Sequence, residues 1–314
     1  MAGLRRYQAA PVAPPRRQRP AIARIGHVTL RDHGGSGRPV VIVPSLINPP
    51  DILDLAPGNS LTDALAMAGL RPLVVDWGEP EGLGLADTVA LRLVPLVAGL
   101  GAPVALAGYC LGGTLAIAAA TLLGPRVDRL ALLATPWHFG GYDAPARDGL
   151  AAWWRGAEPL AEQFGAVPMD LLQPAFWSLD PAGLAAKYEA FAASDADPRA
   201  FVQLEDWANG GVPLSITATR DLAETLFAAD ASGRGDWTIA GTRIDIAHLA
   251  CPVLDILAGH DHIVPPATAL TSDGPGTALR LDAGHVGMVV SRRAPALLWA
   301  PLATWLNEGV PAQL

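Results

Sequence analysis

The chain has 314 residues, of which 51% are hydrophobic and only 17% charged, so a large buried core is expected and extensive disorder is excluded. The net charge of −8, without a basic stripe in the folded part, argues against nucleic acid as a partner. Two cysteines are too few for a disulfide framework.

Residues 1–24 are predicted to form a flexible basic N-terminal arm. The first twenty residues carry five arginines and four prolines but no acidic residue. No apolar segment typical of a secretory signal follows them. The sequence does not indicate what this arm contacts.

The first elements predict strands followed by a restricted loop. Residues 25–31 alternate enough to form an edge strand, and the β-branched run 39–44 suits a strand covered on both faces. The Pro-rich loop 45–55 follows directly. Its prolines restrict the backbone, which suits a pre-organised hydrogen-bond donor as well as an ordinary connection between strand and helix.

Alternating helices and strands then predict a mostly parallel sheet with right-handed crossovers. Helices are expected over 60–68 and 87–100, and further strands over 72–76, 104–107 and 129–136. Residues 93–125 contain no charged side chain, but glycines and prolines divide them into a helix end, a strand, a turn and a helix. No membrane span is therefore expected there.

The stretch Gly108-Tyr-Cys-Leu-Gly112 is the most informative of the sequence. It is the G-x-nucleophile-x-G elbow of α/β-hydrolases, with Cys110 in place of serine. The strained strand-to-helix turn leaves no room for side chains at the glycine positions. It also puts Cys110 at a helix N-terminus, where the helix dipole favours a thiolate.

The oxyanion donors are predicted from the same turn and from the loop after the second strand. The backbone amide of Leu111 would point to the developing oxyanion, and the loop that begins at Ser45 would supply a second amide. The alternative, that residues 45–55 are only a connection, stays open.

The middle of the chain predicts an inserted helical cap over residues 137–213, between core segments 25–136 and 214–314. This region has no convincing strand, and it contains more than half of the nine tryptophans. They predict an apolar tunnel or lid, or simply packing. The five tryptophans are Trp137, Trp153, Trp154, Trp177 and Trp207.

The second core segment supplies the remaining catalytic candidates. A buried strand over 251–259 and a last strand over 278–282 are each followed by a loop, and a helix within 296–307 closes the sheet. Asp261 and His285 lie on these loops, in the chain order nucleophile, acid, histidine that α/β-hydrolases use. His285 would accept the thiol proton, and Asp261 would hold the imidazole tautomer.

Other residues near the acid are less suited to the chemistry. Asp255 lies inside its strand, and His260 and His262 flank Asp261 without a supporting cluster of carboxylates or thiols. No metal site is therefore predicted. Cys251, at the start of a predicted strand, is expected to be structural.

Four motifs together resemble the polyhydroxyalkanoate synthases, the cysteine-dependent polyester polymerases. They are the loop Ile42-Val-Pro-Ser-Leu-Ile-Asn-Pro-Pro-Asp-Ile-Leu-Asp-Leu55, the modified lipase box Gly108-Tyr-Cys-Leu-Gly-Gly-Thr114, the acid motif Asp261-His-Ile-Val-Pro265 and the histidine motif that begins Gly284-His-Val286. The resemblance covers roughly residues 40–300. It implies an α/β-hydrolase fold and a Cys110–Asp261–His285 triad, with a supporting role for His262 and an oxyanion or water contact for Asn48.

The resemblance implies an acyltransferase that polymerises 3-hydroxyacyl-CoA through a cysteine thioester, releases CoA and needs no cofactor besides this substrate. It implies a cytoplasmic protein that associates with polyester granules. It leaves open whether the chain acts as a homodimer or with a second synthase subunit. Position 260 is histidine where the family often has an acid, and the loop after the second strand lacks the family's frequent aromatic residue.

Two other functions remain open. The same triad would serve a cysteine-dependent hydrolase, such as a thioesterase, esterase or intracellular polyester depolymerase, because only the acceptor of the acyl group differs. A non-enzymatic protein that binds at polyester granules is the third alternative, and the intact set of three candidate residues argues against it.

Overall fold

An eight-stranded sheet forms the centre of the protein, whose computed structural model describes residues 2–11, 18–177, 181–195 and 197–308. The strand order is β1-β2-β4-β3-β5-β6-β7-β8. β2 runs antiparallel to both neighbours, and the other pairs are parallel. The strands are β1 Ala21–Ile25, β2 Val28–Asp32, β3 Arg38–Val43, β4 Leu70–Asp76, β5 Val104–Tyr109, β6 Val127–Leu133, β7 Val253–Ala258 and β8 Thr277–Leu281.

Helices cover both faces of the sheet, which explains why the central strands are apolar on both sides. The helices of the core are α2 Leu61–Met67; α3, made of Leu85–Thr88, π-helical Val89–Leu93 and Val94–Ala98; α4 Leu111–Leu123; α9, made of Ile216–Arg220 and π-helical Asp221–Ala228; α10 Gly287–Val290; and α11, made of π-helical Pro295–Trp299 and Ala300–Glu308. α3 and α4 pack on one face, and α2, α10 and α11 pack on the other. The predicted α/β class and mostly parallel sheet are therefore correct.

The single edge strand predicted over 25–31 is wrong, because the chain turns inside it. β1 and β2 form an antiparallel hairpin around Gly26 and His27. Gly26 has a φ of +60°, a left-handed conformation that glycine adopts without a steric penalty. The turn reverses the chain, so residues 21–25 also join the sheet.

Four helices lie between β6 and the second part of the core, where the sequence predicts the cap. They are α5 Ala144–Phe164, α6 Met169–Trp177, α7 Pro181–Ala193 and α8 Arg199–Asn209. The Asp143 carboxylate caps α5 by accepting the amide of Ala146 at 2.8 Å. An isolated β-bridge pairs Val167, which lies between α5 and α6, with Leu214, which follows α8.

The N-terminal segment differs from the predicted flexible arm. Residues Ala2–Gln8 form a helix, α1, that packs against α7 of the cap. The Arg6 guanidinium lies 4.6 Å from the centre of the Phe191 ring, a cation–π contact that ties the two helices together. Part of the predicted arm, residues 12–17, lies outside the described residues.

None of the helices in the described part of the chain is both long and apolar enough to cross a membrane. The uncharged run 93–125 instead contains the end of α3, strand β5 and helix α4. The side chains of β5 and most of those of α4 are buried between the sheet and neighbouring helices, which accounts for the lack of charge there.

Candidate active site

The turn between β5 and α4 places Cys110 at the carboxyl edge of the sheet. Cys110 has a φ of 55° and a ψ of −134°, a conformation that costs a non-glycine residue about 1–3 kcal/mol. Its amide donates to the Leu133 carbonyl at 2.9 Å, which fixes the turn against β6. The side chain is partly exposed and immediately precedes a helix of 13 residues, whose dipole favours an anion there.

Close approaches of neighbouring backbone and side-chain atoms explain the three glycines around Cys110. A β-carbon on Gly108 would lie 2.3 Å from the Cα of Gly113, and one on Gly113 would lie 1.9 Å from the Thr135 hydroxyl. A β-carbon on Gly112 would lie 2.2 Å from the Val43 carbonyl oxygen. The doubled glycine therefore lets α4 pack against the ends of β3 and β6, which brings the loop after β3 beside Cys110.

The loops after β7 and β8 bring the predicted acid and histidine together. The Asp261 carboxylate lies 2.7 Å from His285 Nδ1, and both side chains are almost entirely buried. The second carboxylate oxygen accepts the backbone amides of Ile263 and Val264, each at 2.8 Å. Asp261 therefore has a fixed orientation and suits the task of holding the imidazole.

The surroundings of His285 raise its pKa, which favours the imidazolium form. Burial by itself would lower the pKa of His285. The negative charges of Cys110 and Asp261, together with hydrogen bonds to both side chains, outweigh burial and raise the pKa to about 10. The imidazole thus lies between the side chains of Cys110 and Asp261, and a histidine so placed is the partner that a cysteine nucleophile requires.

Tyr109 is a site residue that the sequence reasoning missed. Its ring stacks on the His285 imidazole with centroids 5.1 Å apart and an angle of 28° between the planes. Its hydroxyl donates to the His285 carbonyl at 3.3 Å. The available signal was the position of Tyr109 directly before the candidate nucleophile Cys110, at the end of β5.

The residues predicted to stabilise the oxyanion lie in two places. Leu111 is the first residue of α4, so its amide has no acceptor within the helix and faces the end where Cys110 lies. Ser45 is buried, and its hydroxyl accepts the amide of Ile47 at 3.2 Å, which shapes the loop. Asn48 uses its side-chain amide differently, since it donates to the Ala208 carbonyl of α8 at 3.2 Å. Asn48 therefore ties the loop to the cap.

The two histidines beside Asp261 are exposed to solvent. The resemblance implied a supporting role for His262, whose side chain is exposed, whereas the side chains of Asp261 and His285 are buried. His260 is exposed as well, and its Nε2 pairs with Asp282 at 2.9 Å. Within the described ranges, no group of three or more His, Cys, Asp or Glu side chains is placed to hold a metal ion.

The tryptophans of the cap mainly pack. Trp137 and Trp154 are fully buried, while the indole of Trp207 donates to the Pro49 carbonyl at 2.8 Å and so braces the loop after β3. A cavity of about 340 Å³ lies beneath that loop, between Arg19, His33, Trp77 and Val212. Neither this cavity nor the smaller one beside it is lined by the five cap tryptophans or by the three triad candidates.

Comparisons with known proteins agree with the architecture. A family model described as the α/β hydrolase fold matches residues 98–274, more than half of the chain. Solved structures with a similar fold include BpoC of Mycobacterium tuberculosis, with a TM-score of 0.60, 18% identity and coverage of 92% of this chain and 98% of that one. An enol-lactonase of Burkholderia xenovorans has a TM-score of 0.55 and 19% identity, with 92% and 100% covered.

Curated relatives carry the name poly(3-hydroxyalkanoate) polymerase subunit PhaC. The chain is 26% identical to that of Haloferax mediterranei and 28% to that of Haloarcula marismortui, over 86% of its own length. It spans only 58% and 61% of the length of these two relatives. The relative of Allochromatium vinosum is 29% identical, with 86% of this chain and 81% of the relative covered. The resemblance inferred from the four motifs is thus matched along most of the sequence.

One conclusion follows from the sheet order with its antiparallel β2, the cysteine elbow, the late acid and histidine loops and the family match. The chain belongs to the α/β-hydrolase fold family, and within it resembles the polyhydroxyalkanoate polymerase subunits.

Proposed function

We propose that the protein is an acyltransferase of polyhydroxyalkanoate synthesis, which transfers 3-hydroxyacyl groups from CoA through a thioester on Cys110. The observation that carries the proposal is the cysteine on a positive-φ elbow next to a buried histidine–carboxylate pair. The names of the relatives support the substrate class. The proposed site of action is the cytoplasm, at the surface of the growing polyester.

In the first half of the reaction, the Cys110 thiolate attacks the carbonyl carbon of the acyl-CoA thioester. The carbon–sulfur bond to CoA breaks, and the His285 imidazolium gives its proton to the departing CoA thiolate. The raised pKa of His285 keeps this proton available at neutral pH. The Leu111 amide would stabilise the oxyanion that forms at the carbonyl.

In the second half, the now neutral His285 accepts the proton of a hydroxyl group on another hydroxyacyl unit. The resulting alkoxide attacks the Cys110 thioester, an ester bond forms, and the thiolate is released. Asp261 offsets the charge that His285 gains. If water took the place of the hydroxyl, the same groups would perform hydrolysis, so the acceptor decides between the two reactions.

The proposal is tested with purified protein and 3-hydroxybutyryl-CoA, by measuring CoA release and the size of the product. We expect release to depend on Cys110, with oligomer or polyester formed. Cys110→Ala is expected to abolish release, and Cys251→Ala, which removes the other free cysteine, is the matched control. The assay is run with and without a synthase partner subunit, because the curated relatives are named as subunits.

Two outcomes would contradict the synthase proposal. Release that depends on Cys110 but yields only free 3-hydroxybutyrate would identify a hydrolase. Absence of release, alone and with the partner, would exclude short-chain hydroxyacyl-CoA thioesters as substrates.

A further inference from the structure

The segment that leads from β6 into the cap is docked on the loop that carries the acid. The amides of Trp137 and His138 both donate to the Thr268 carbonyl, at 2.7 and 2.9 Å. A β-carbon on Gly141 would lie 2.4 Å from the Ala267 carbonyl oxygen, so the two backbones are in close contact there. The start of the cap and the acid loop therefore form one packed unit.

Tyr142 extends this contact to the turn that holds Asp261. Its hydroxyl donates to the Ile263 carbonyl at 3.1 Å. The amide of the same residue, Ile263, donates to the Asp261 carboxylate at 2.8 Å. Ile263 is thus held from both sides: its amide orients the acid, and its carbonyl is held by Tyr142.

The aromatic ring of Tyr142 is itself well fixed. It packs against Phe227 with centroids 4.6 Å apart and against Phe139 with centroids 6.0 Å apart. Burial, and then the negative charges of Cys110 and Asp261, raise the pKa of Tyr142 well above its usual value. The hydroxyl of Tyr142 therefore stays protonated at neutral pH and can donate a hydrogen bond.

We propose that Tyr142 is a positioning residue that couples the cap to the triad, because its hydroxyl fixes the turn at Ile263 and thereby the direction of the Asp261 carboxylate. The inference rests on the proposed triad. Displacement of the start of the cap would break this hydrogen bond and loosen the acid. The groups that face His285 are Asp261 from the acid loop, Cys110 from the elbow and the Tyr109 ring from β5. Loosening of Asp261 should therefore change the pKa of His285.

The test removes one hydroxyl in Tyr142→Phe, which retains the ring and its packing. Tyr188→Phe is the matched control, because Tyr188 donates to Glu205 inside the cap at 2.9 Å. Three quantities are measured on the full chain: the rate of Cys110 alkylation by iodoacetamide, the titration midpoint of His285 by long-range ¹H–¹⁵N NMR, and kcat and KM with 3-hydroxybutyryl-CoA. Circular dichroism verifies that each variant is folded.

For Tyr142→Phe we expect a His285 midpoint lower by about one pH unit, because a loosened carboxylate supports the imidazolium less well. Alkylation should slow severalfold at neutral pH. The kcat should fall about tenfold or more with KM within about twofold, since a misaligned triad affects the reaction more than binding. Tyr188→Phe should leave all three quantities unchanged.

An unchanged His285 midpoint and an unchanged alkylation rate in folded Tyr142→Phe would overturn the inference and leave Tyr142 as a packing residue. An equal effect of Tyr188→Phe would overturn it too, because general loosening of the cap would then be the cause. Alkylation and NMR need no substrate, so a failure of the proposed function shows itself separately, as lack of turnover in the wild-type protein.

Discussion

At the scale of single residues, the candidate site combines a strained backbone at Cys110 with the buried pair of His285 and Asp261. Cys110 keeps a positive-φ backbone that a cysteine rarely adopts, and His285 is buried beside Cys110 and Asp261, which raise its pKa. Cys251, by contrast, is a partly buried thiol whose pKa is raised to about 11 by burial and by the charge of Asp128. Cys251 is therefore a thiol at neutral pH, whereas Cys110 is the cysteine that lies beside the buried pair of His285 and Asp261.

The first prediction concerns the proton on His285. Because the folded-state pKa is raised from 6.5 to about 10, the imidazolium persists above pH 6.5 and is lost as the pH rises through about 10. In Cys110→Ala the midpoint should fall, since the charge of Cys110 is the largest contribution that raises it and burial opposes it. Long-range ¹H–¹⁵N NMR measures the midpoint, and Cys251→Ala should leave it in place. An unchanged midpoint in Cys110→Ala would refute the proposed thiolate–imidazolium pair.

The second prediction concerns the acid. Asp261→Asn should lower kcat by about 10²–10⁴-fold, because an amide can hold the wrong imidazole tautomer and supplies no charge. Steady-state kinetics with the acyl-CoA substrate measures the effect. Asp282→Asn is the control, because its exposed carboxylate pairs with His260 and Arg293 outside the triad. A loss below threefold in Asp261→Asn would mean that another residue orients His285.

At the scale of elements, the sharp turn at Cys110 brings the start of α4 within contact distance of the ends of β3 and β6. The glycines remove the β-carbons that would prevent this approach, and the Thr114 hydroxyl then donates to the Pro136 carbonyl at 2.6 Å. The first turn of α4 is consequently held on two sides, while Cys110 remains at its open end. The same close packing makes the elbow sensitive to a single added carbon.

The third prediction tests this packing. Gly112→Ala should lower the free energy of unfolding by about 2–3 kcal/mol, because the new β-carbon meets the Val43 and Pro44 carbonyls. Gly149→Ala in α5 meets nothing within 4 Å and should raise it by about 0.5–1 kcal/mol. Urea denaturation measures both changes. Equal stability of Gly112→Ala and wild type would show that α4 can move away from β3 at little cost.

At the scale of the whole molecule, the N-terminal helix joins the cap. Besides the Arg6–Phe191 contact, the Tyr7 hydroxyl donates to Asp206 of α8 at 2.5 Å. Further along, Arg19 pairs with Asp54 and Asp63 of the core at 2.9 and 2.8 Å. α1 therefore contacts two helices of the cap, a suitable arrangement for restraining it, while Arg19 pairs with the core.

The fourth prediction follows from the contact between α1 and α7. A β-carbon on Gly3 would lie 2.0 Å from the Tyr188 carbonyl oxygen, so Gly3→Ala should displace α1. Amide hydrogen exchange in α7 should then become about tenfold faster, as the cap loses a restraint. Arg5→Ala, whose side chain is exposed on the same helix, should exchange like the wild type. Unchanged exchange in Gly3→Ala would mean that α1 does not stabilise the cap.

The sequence by itself determined the parts of the protein that depend on short stretches of chain. The strand, sharp turn and helix around Cys110 follow from an apolar run, flanking glycines and an alanine-rich segment. The order of nucleophile, acid and histidine indicated the α/β-hydrolase fold, because parallel strands put successive loops at the same edge of the sheet.

Only the tertiary structure decided which of these groups meet. The pairing of Asp261 with His285, the ring of Tyr109 on the imidazole and the hydroxyl of Tyr142 on Ile263 join residues far apart in the sequence. The exposure of His262 and the contact of Asn48 with α8 likewise depend on side-chain directions and on how the cap docks. Local patterns specify elements, whereas such contacts arise from packing among many elements at once, so no single stretch of the chain encodes them.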